Sequence, residues 1–236
     1  MTMGRPDRFT DRADAGRQLA VHLKDYSGRP DALVLGLPRG GVPVAFEVAQ
    51  ALEAPLDVFV VRKLGVPGHE ELALGAIASG GARAINEDVV QALGITEETI
   101  ATTAADEQRE LERRERIYRD GGGAEPVAGR TAILVDDGVA TGASMRAAAL
   151  ALGEQSADEV VVAVPVAPPE TCAAFESLVD RTVCARTPKL FHAVGAWYED
   201  FAEVSDDDVR DLLRRAAELH AGAPPPEASL RGAHDV

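Results

Sequence analysis

The chain has 236 residues, 46% hydrophobic and 27% charged, with 39 Asp and Glu against 24 Lys and Arg. A formal net charge of −15 and the lack of any basic run argue against the counterion-releasing face that a nucleic-acid binder needs. No apolar run nears the ~20 residues that span a bilayer, and the N-terminus has no continuous apolar stretch of a secretory signal, so a soluble cytoplasmic protein is expected.

In chain order, residues 5–25 place Phe9, Ala15, Leu19, Val21 and Leu23 where they can share one side of a helix, with Thr10 or Asp11 as N-cap. Arg12 and Arg17 could face solvent or a cleft, with solvent as the plainer reading. After a turn at Gly28-Arg29-Pro30, the apolar run Ala32–Leu37 predicts a buried parallel strand. Pro38-Arg39-Gly40-Gly41 follows, then a helix over about 42–52. Two glycines and an arginine at a helix start suit an anion, because unpaired amides point outward and Arg39 can fork two oxyanion oxygens. A tight turn with a solvent-facing arginine is the plainer alternative.

Leu56 to Val61 predicts a third buried strand, ending in Arg62-Lys63. Leu64 to Glu71 is polar and rich in Gly and Pro, which predicts a mobile loop lined by His69, Glu70 and Glu71. Two short strands, 72–78 and 82–85, flank a Ser79-Gly80-Gly81 turn. Asn86 opens a helix to about Leu93, and Thr96 opens a longer one to about Arg119. In the longer one, Glu110–Arg114, Glu112–Arg116 and Glu115–Arg119 stand at i,i+4 in the favourable order.

Ala132-Ile133-Leu134-Val135 then runs into two carboxylates, Asp136 and Asp137. Gly138-Val139-Ala140-Thr141-Gly142-Ala143-Ser144 leads from them into an alanine-rich helix. The free amides and positive dipole end of a helix start suit a phosphate, and Thr141 and Ser144 add hydroxyl donors. Acids beside such a cradle fit a ligand with vicinal hydroxyls, a phosphate and a divalent cation. Glu159–Val166 is a further buried strand, Pro168-Pro169 opens a helix to about Leu178, and 182–185 is a short strand. Cys172 and Cys184, without a C-x-x-C or neighbouring ligands, are expected as reduced core thiols. Residues 191–201 gather four aromatics in a chain that is 4% aromatic, which marks the stretch for packing or stacking. Ser205 with Asp208 forms a capping box for a last helix ending near His220. The remainder, with Pro224-Pro225-Pro226, is expected to be disordered. Strands alternating with helices predict a three-layer α/β fold with a parallel sheet, its ligands beyond the strands' carboxyl ends.

The 132–144 stretch closely resembles the phosphoribosyl-diphosphate (PRPP) binding motif of type I phosphoribosyltransferases: an apolar strand, two acids, then x-x-x-T-G-x-[T/S], with Ser144 at the final hydroxyl. The resemblance implies a parallel three-layer sheet with a flexible loop and a small C-terminal hood. The domain would span 1–221, with its core roughly at 5–186 and its hood roughly at 187–221, leaving 222–236 as a tail. The implied reaction moves 5-phosphoribosyl from PRPP to a nitrogenous acceptor, such as a nucleobase, and releases pyrophosphate.

By the same resemblance, Asp136 and Asp137 hold the ribose hydroxyls, and Val139, Ala140, Thr141, Gly142, Ala143 and Ser144 hold the 5′-phosphate. Arg39, Gly40, Gly41, Arg62 and Lys63 hold the diphosphate, so that Arg39 and Lys63 join the acids as catalytic residues. Mg²⁺ would bridge diphosphate and ribose oxygens, meeting Asp136 and Asp137 directly or through the hydroxyls. Phe191, His192, Ala193 and Trp197 fall where the hood meets the acceptor base, with packing of the C-terminal helix as the equal alternative. Small-molecule substrates, a homodimer, and no nucleic-acid or membrane partner are implied. A non-catalytic regulator that binds PRPP or a nucleotide is the competing class, and a hydrolase or phosphorylase on the same sugar phosphate is a third.

Overall fold

A strand that is apolar at every position must be covered on both faces, and the core is built around that requirement. The computed structural model describes residues 8–119 and 122–221. Its first half runs α1 (Arg12–Val21), β1 (Ala32–Gly36), α2 (Gly41–Leu52), β2 (Leu56–Val58), β3 (Val61–Val66), β4 (His69–Ala78), β5 (Arg83–Ile85), α3 (Glu87–Leu93) and α4 (Glu97–Arg119). The second half runs β6 (Thr131–Val135), α5 (Ala143–Gly153), β7 (Glu159–Val166), α6 (Pro169–Phe175), β8 (Arg181–Arg186) and α7 (Asp206–Ala221).

The central sheet has the order β2-β1-β6-β7-β8, with every pair parallel. Successive strand residues alternate faces. Leu33, Leu35, Leu134, Val162 and Val164 pack towards Met145, Ala148 and Leu152 of α5. Val34, Ile133, Val135 and Val161 pack towards Leu19 of α1 and Val44 and Val48 of α2. The result is the expected parallel, three-layer α/β architecture.

Several local expectations need correction. Residues 56–61 are not one strand: β2 stops at Val58, and the chain leaves the sheet before β3 begins at Val61. The supposed mobile loop at 64–71 is instead an antiparallel hairpin, with β3 and β4 joined through Pro67-Gly68. Its order comes from an apolar face that the Gly and Pro content concealed, since Leu64, Val66 and Leu74 are buried with Ile100, Leu111 and Tyr118 of α4. His69 is exposed, and the side chains of Glu70 and Glu71 lie outside the described residues. β5 extends the hairpin into a three-stranded sheet.

Phe9 is not on the first helix. It precedes α1, which Asp11 caps through Asp14 N at 2.7 Å, and it bridges to Tyr198 instead. Cys172 and Cys184 are joined in a disulfide, because α6 packs on β8 and brings their Cα atoms to 6.5 Å, within bridging range. On α4, Glu110–Arg114 and Glu115–Arg119 pair as expected at 2.9 and 2.6 Å. Glu112 instead accepts from Gln108 Nε2 at 3.0 Å. The Ser205–Asp208 capping box forms, with Asp208 N donating to Ser205 Oγ at 3.1 Å. The expected disordered stretch 222–236 lies outside the described residues.

Candidate active site

The crevice follows from the strand order. β1 continues through α2 to β2 on one side, and β6 continues through α5 to β7 on the other. Their following loops therefore part at one point, where open α/β sheets take ligands. The two loops also touch. Leu37 N donates to Val135 O at 2.9 Å. A methyl at Gly41 would stand 2.7 Å from Val135 O and 2.8 Å from Asp136 Cα, and one at Gly40 would overlap the Asp137 carboxylate. Only glycine allows this approach. The Pro38–Arg39 peptide in this loop is cis.

The acid pair sits at the end of β6. Asp136 Oδ1 accepts from Asp137 N at 2.8 Å, and Asp137 Oδ2 accepts from Arg12 Nε at 2.8 Å. Tyr198 OH donates to the Asp137 carbonyl oxygen. Burial pushes the Asp136 carboxyl well above its ordinary range, and the neighbouring Asp137 charge pushes the same way. Burial also raises Asp137, while the Arg12 guanidinium opposes it. The Tyr198 hydroxyl is raised as well, chiefly by burial and then by the Asp137 charge.

Arg12 faces the crevice, the less favoured of its two expected settings, and no site role was assigned to it. Its side chain is 12% exposed, and 125 positions separate it from Asp137, so no local spacing announces the pair. Arg17 does lie outward, pairing with Glu47 at 3.5 Å.

At the start of α5, Gly142 takes the left-handed conformation (φ 80°), and no side chain caps the helix. Ala140, Thr141, Ala143 and Ser144 are exposed there, while Val139 is buried and its N–H goes to Val166 O at 3.0 Å. Thr171 Oγ1 donates to Ala140 O at 2.8 Å, bracing the loop from α6. An open loop with unclaimed amides at a helix start can hold a phosphate.

The expected diphosphate cations are not gathered to the same degree. Arg39 sits on the loop, but its Nη2 is paired with Glu203 Oε1 at 2.6 Å. Arg62 is paired with Glu107 of α4 at 2.6 Å. Lys63 is exposed on β3. In the hood stretch, a methyl at Gly138 would stand 2.6 Å from Val194 Cγ1, so the segment after β8 closes on the acid loop. Phe191 and Trp197 pack against Phe9, Ala15, Val166 and Tyr198, which is a core role. His192 and Ala193 are exposed.

Fold and loops together define a parallel α/β protein whose two anion-suited turns meet at an acid pair. The profile of the phosphoribosyl transferase domain matches residues 7–199, and the chain belongs to that family. Two curated relatives from Mycobacterium tuberculosis strains, each named "Putative phosphoribosyl transferase", are 50% identical over 208 residues, which is 88% of this chain. The match covers 47% of each relative, so the chain spans about half their length. The crystal structure of TT1426 from Thermus thermophilus is similar at 42% identity and a TM-score of 0.80, covering 88% of this chain and 98% of that one.

Proposed function

We propose that this chain transfers 5-phosphoribosyl from PRPP to a nitrogenous acceptor, with a nucleobase as the first candidate, and releases pyrophosphate. The observation that carries the reading is the meeting of the Arg39-Gly40-Gly41 turn with Asp136-Asp137 at the β1/β6 crevice, beside the open start of α5. A donor with phosphate groups at both ends of a diol-bearing ring uses all three features.

As the C1–oxygen bond to the diphosphate breaks, its electron pair leaves with pyrophosphate and positive charge grows on the ribose. The acceptor nitrogen bonds C1 and gives up its proton to the departing pyrophosphate or to water. Asp136 and Asp137 receive the ribose hydroxyls and favour the growing cation. The exposed 139–144 loop takes the 5′-phosphate on its amides and on the Thr141 and Ser144 hydroxyls. The Gly40 and Gly41 turn, with Arg39 once released from Glu203, takes the diphosphate, and exposed Lys63 is the second candidate cation. His192 and Ala193, exposed beside Val194, are the hood positions left to meet the acceptor.

Mg²⁺ fits this donor set as an ion shared with the substrate. Among the described residues no three His, Cys, Asp or Glu side chains converge into a protein cage, and Mg²⁺ commonly uses one or two carboxylates plus substrate phosphates. Asp136 and Asp137 would hold it, directly or through the hydroxyls, and it would screen the diphosphate charge.

The test is calorimetry with PRPP and Mg²⁺, followed by pyrophosphate release over a panel of purine, pyrimidine and amine acceptors. Asp137→Asn is expected to lower release by about 10²–10³-fold, because it removes charge that stabilises the transition state. Wild-type turnover by an Asp136→Asn/Asp137→Asn protein would sink the assignment. PRPP binding without release on any acceptor would favour the regulator instead. The engagement of Arg39 and Asp137 by protein partners supports keeping that reading.

A further inference from the structure

We infer that Arg12 is a positioning residue of the donor site, holding the Asp137 carboxylate in the orientation that meets the donor's ribose. The inference rests on the donor reading of the acid pair and adds a residue from outside both loops.

The guanidinium is fixed on three sides. Its Nε donates to Asp137 Oδ2 at 2.8 Å, its Nη1 donates to Ala202 O at 2.7 Å, and its face lies 3.9 Å from the centre of the Phe201 ring. A planar fork held by a carbonyl, a ring and a carboxylate has one orientation, and it passes that orientation to the carboxylate. Asp137 Oδ1 has no hydrogen bond among the described residues, which leaves it open to a hydroxyl donor. Arg12 Nε would also lie 3.5 Å from a methyl at Gly40, so the pair sits where the two loops join.

The tie is not needed to dock α1. Leu19 and Ala20 bury that helix against the sheet and α2, and Gly16 packs so closely that a methyl there would stand 2.6 Å from Val44 O. With α1 already anchored by these contacts, a charged pair placed where the two loops join is well sited to serve the ligand. Lysine replaces the charge but not the fork, so it can serve Asp137 or Ala202 but not both in the same plane.

The experiment is calorimetry on the full chain with two probes, PRPP with Mg²⁺ and inorganic phosphate alone. Arg12→Ala is expected to weaken PRPP binding about ten- to hundred-fold, the scale of a lost charged hydrogen bond, and to leave phosphate affinity unchanged. Arg12→Lys is expected to recover part of the loss. Phe201→Leu, which keeps Arg12 and removes only its aromatic support, is expected to weaken PRPP a few-fold. Equal or tighter PRPP binding by Arg12→Ala overturns the inference, as does a parallel loss of phosphate binding, the mark of a merely structural role. Wild-type protein that binds phosphate but no PRPP would defeat the donor reading itself; wild-type PRPP binding that both Arg12 variants retain defeats only the Arg12 assignment.

Discussion

A methyl added at Gly40 would overlap the Asp137 carboxylate, whereas one at Gly123 would meet nothing within 4 Å. The two glycines therefore separate backbone entropy from site geometry. Gly40→Ala is expected to cost about 1–3 kcal/mol through overpacking and to weaken PRPP by tenfold or more, while Gly123→Ala leaves both unchanged. Thermal unfolding together with calorimetry checks this, and a Gly40→Ala protein with wild-type affinity would show that the loops need not touch. At this scale the sequence was informative where chemistry is local. Asp136, Asp137, Thr141 and Ser144 follow one apolar strand, and their order alone marked them. Arg12 was illegible because its partner lies 125 positions away. The Arg62–Glu107 pair was equally hidden, because Glu107 belongs to a helix whose packing on the hairpin no periodicity reveals.

Between α1 and α7, residues 198–204 form a strap across the crevice. Tyr198 bonds the Asp137 carbonyl, Ala202 holds Arg12, and Glu203 holds Arg39. The Arg39–Glu203 pair is solvent-exposed, with the glutamate side chain 80% accessible, so it is worth at most about 1 kcal/mol. Glu203→Ala is thus expected to tighten pyrophosphate binding by up to about fivefold, read by calorimetry; a weaker affinity would mean that Glu203 does not compete for Arg39. The opposite end of the sheet is stitched by charge. Arg29 bonds Asp31 at 2.6 Å and Thr131 at 2.7 Å, and Thr131 Oγ1 also reaches Glu159 at 3.2 Å, joining the starts of β1, β6 and β7. Arg29, with help from Thr131, holds the Asp31 carboxyl down at about 2. Its folded value lies below the ordinary ~3.9, so this contribution is complete above about pH 4 and is lost as pH falls towards 2. Asp31→Asn should therefore flatten the acid limb of the stability profile in that window, measured by denaturant unfolding at a series of pH values. An unchanged slope would show that the network contributes nothing to acid sensitivity.

For the whole molecule, the parallel layered sheet was readable because continuous apolar runs and helix caps are local signals, and β7 and α3 match their expected limits. What escaped was contact between distant elements: the hairpin held by α4, the Phe9–Tyr198 bridge, and the α6–β8 disulfide. That disulfide closes a loop twelve residues long, for which chain-entropy arguments give about 2–3 kcal/mol. Cys172→Ser/Cys184→Ser should lose roughly that much in denaturant unfolding, and reductant should bring wild type to the same midpoint. No change in either case would mean that the bridge is idle. Among the described residues no helix is long and apolar enough to cross a membrane.

The strap also adjoins the chain's only tryptophan, Trp197, one residue before the tyrosine that bonds the Asp137 carbonyl. Its indole packs in the small cluster with Phe9 and Val166. Emission from this protein therefore reports on a single place, beside the crevice. A ligand that displaces the strap will change the wavelength or intensity of one fluorophore, so occupancy can be followed in real time on unlabelled, unmutated protein.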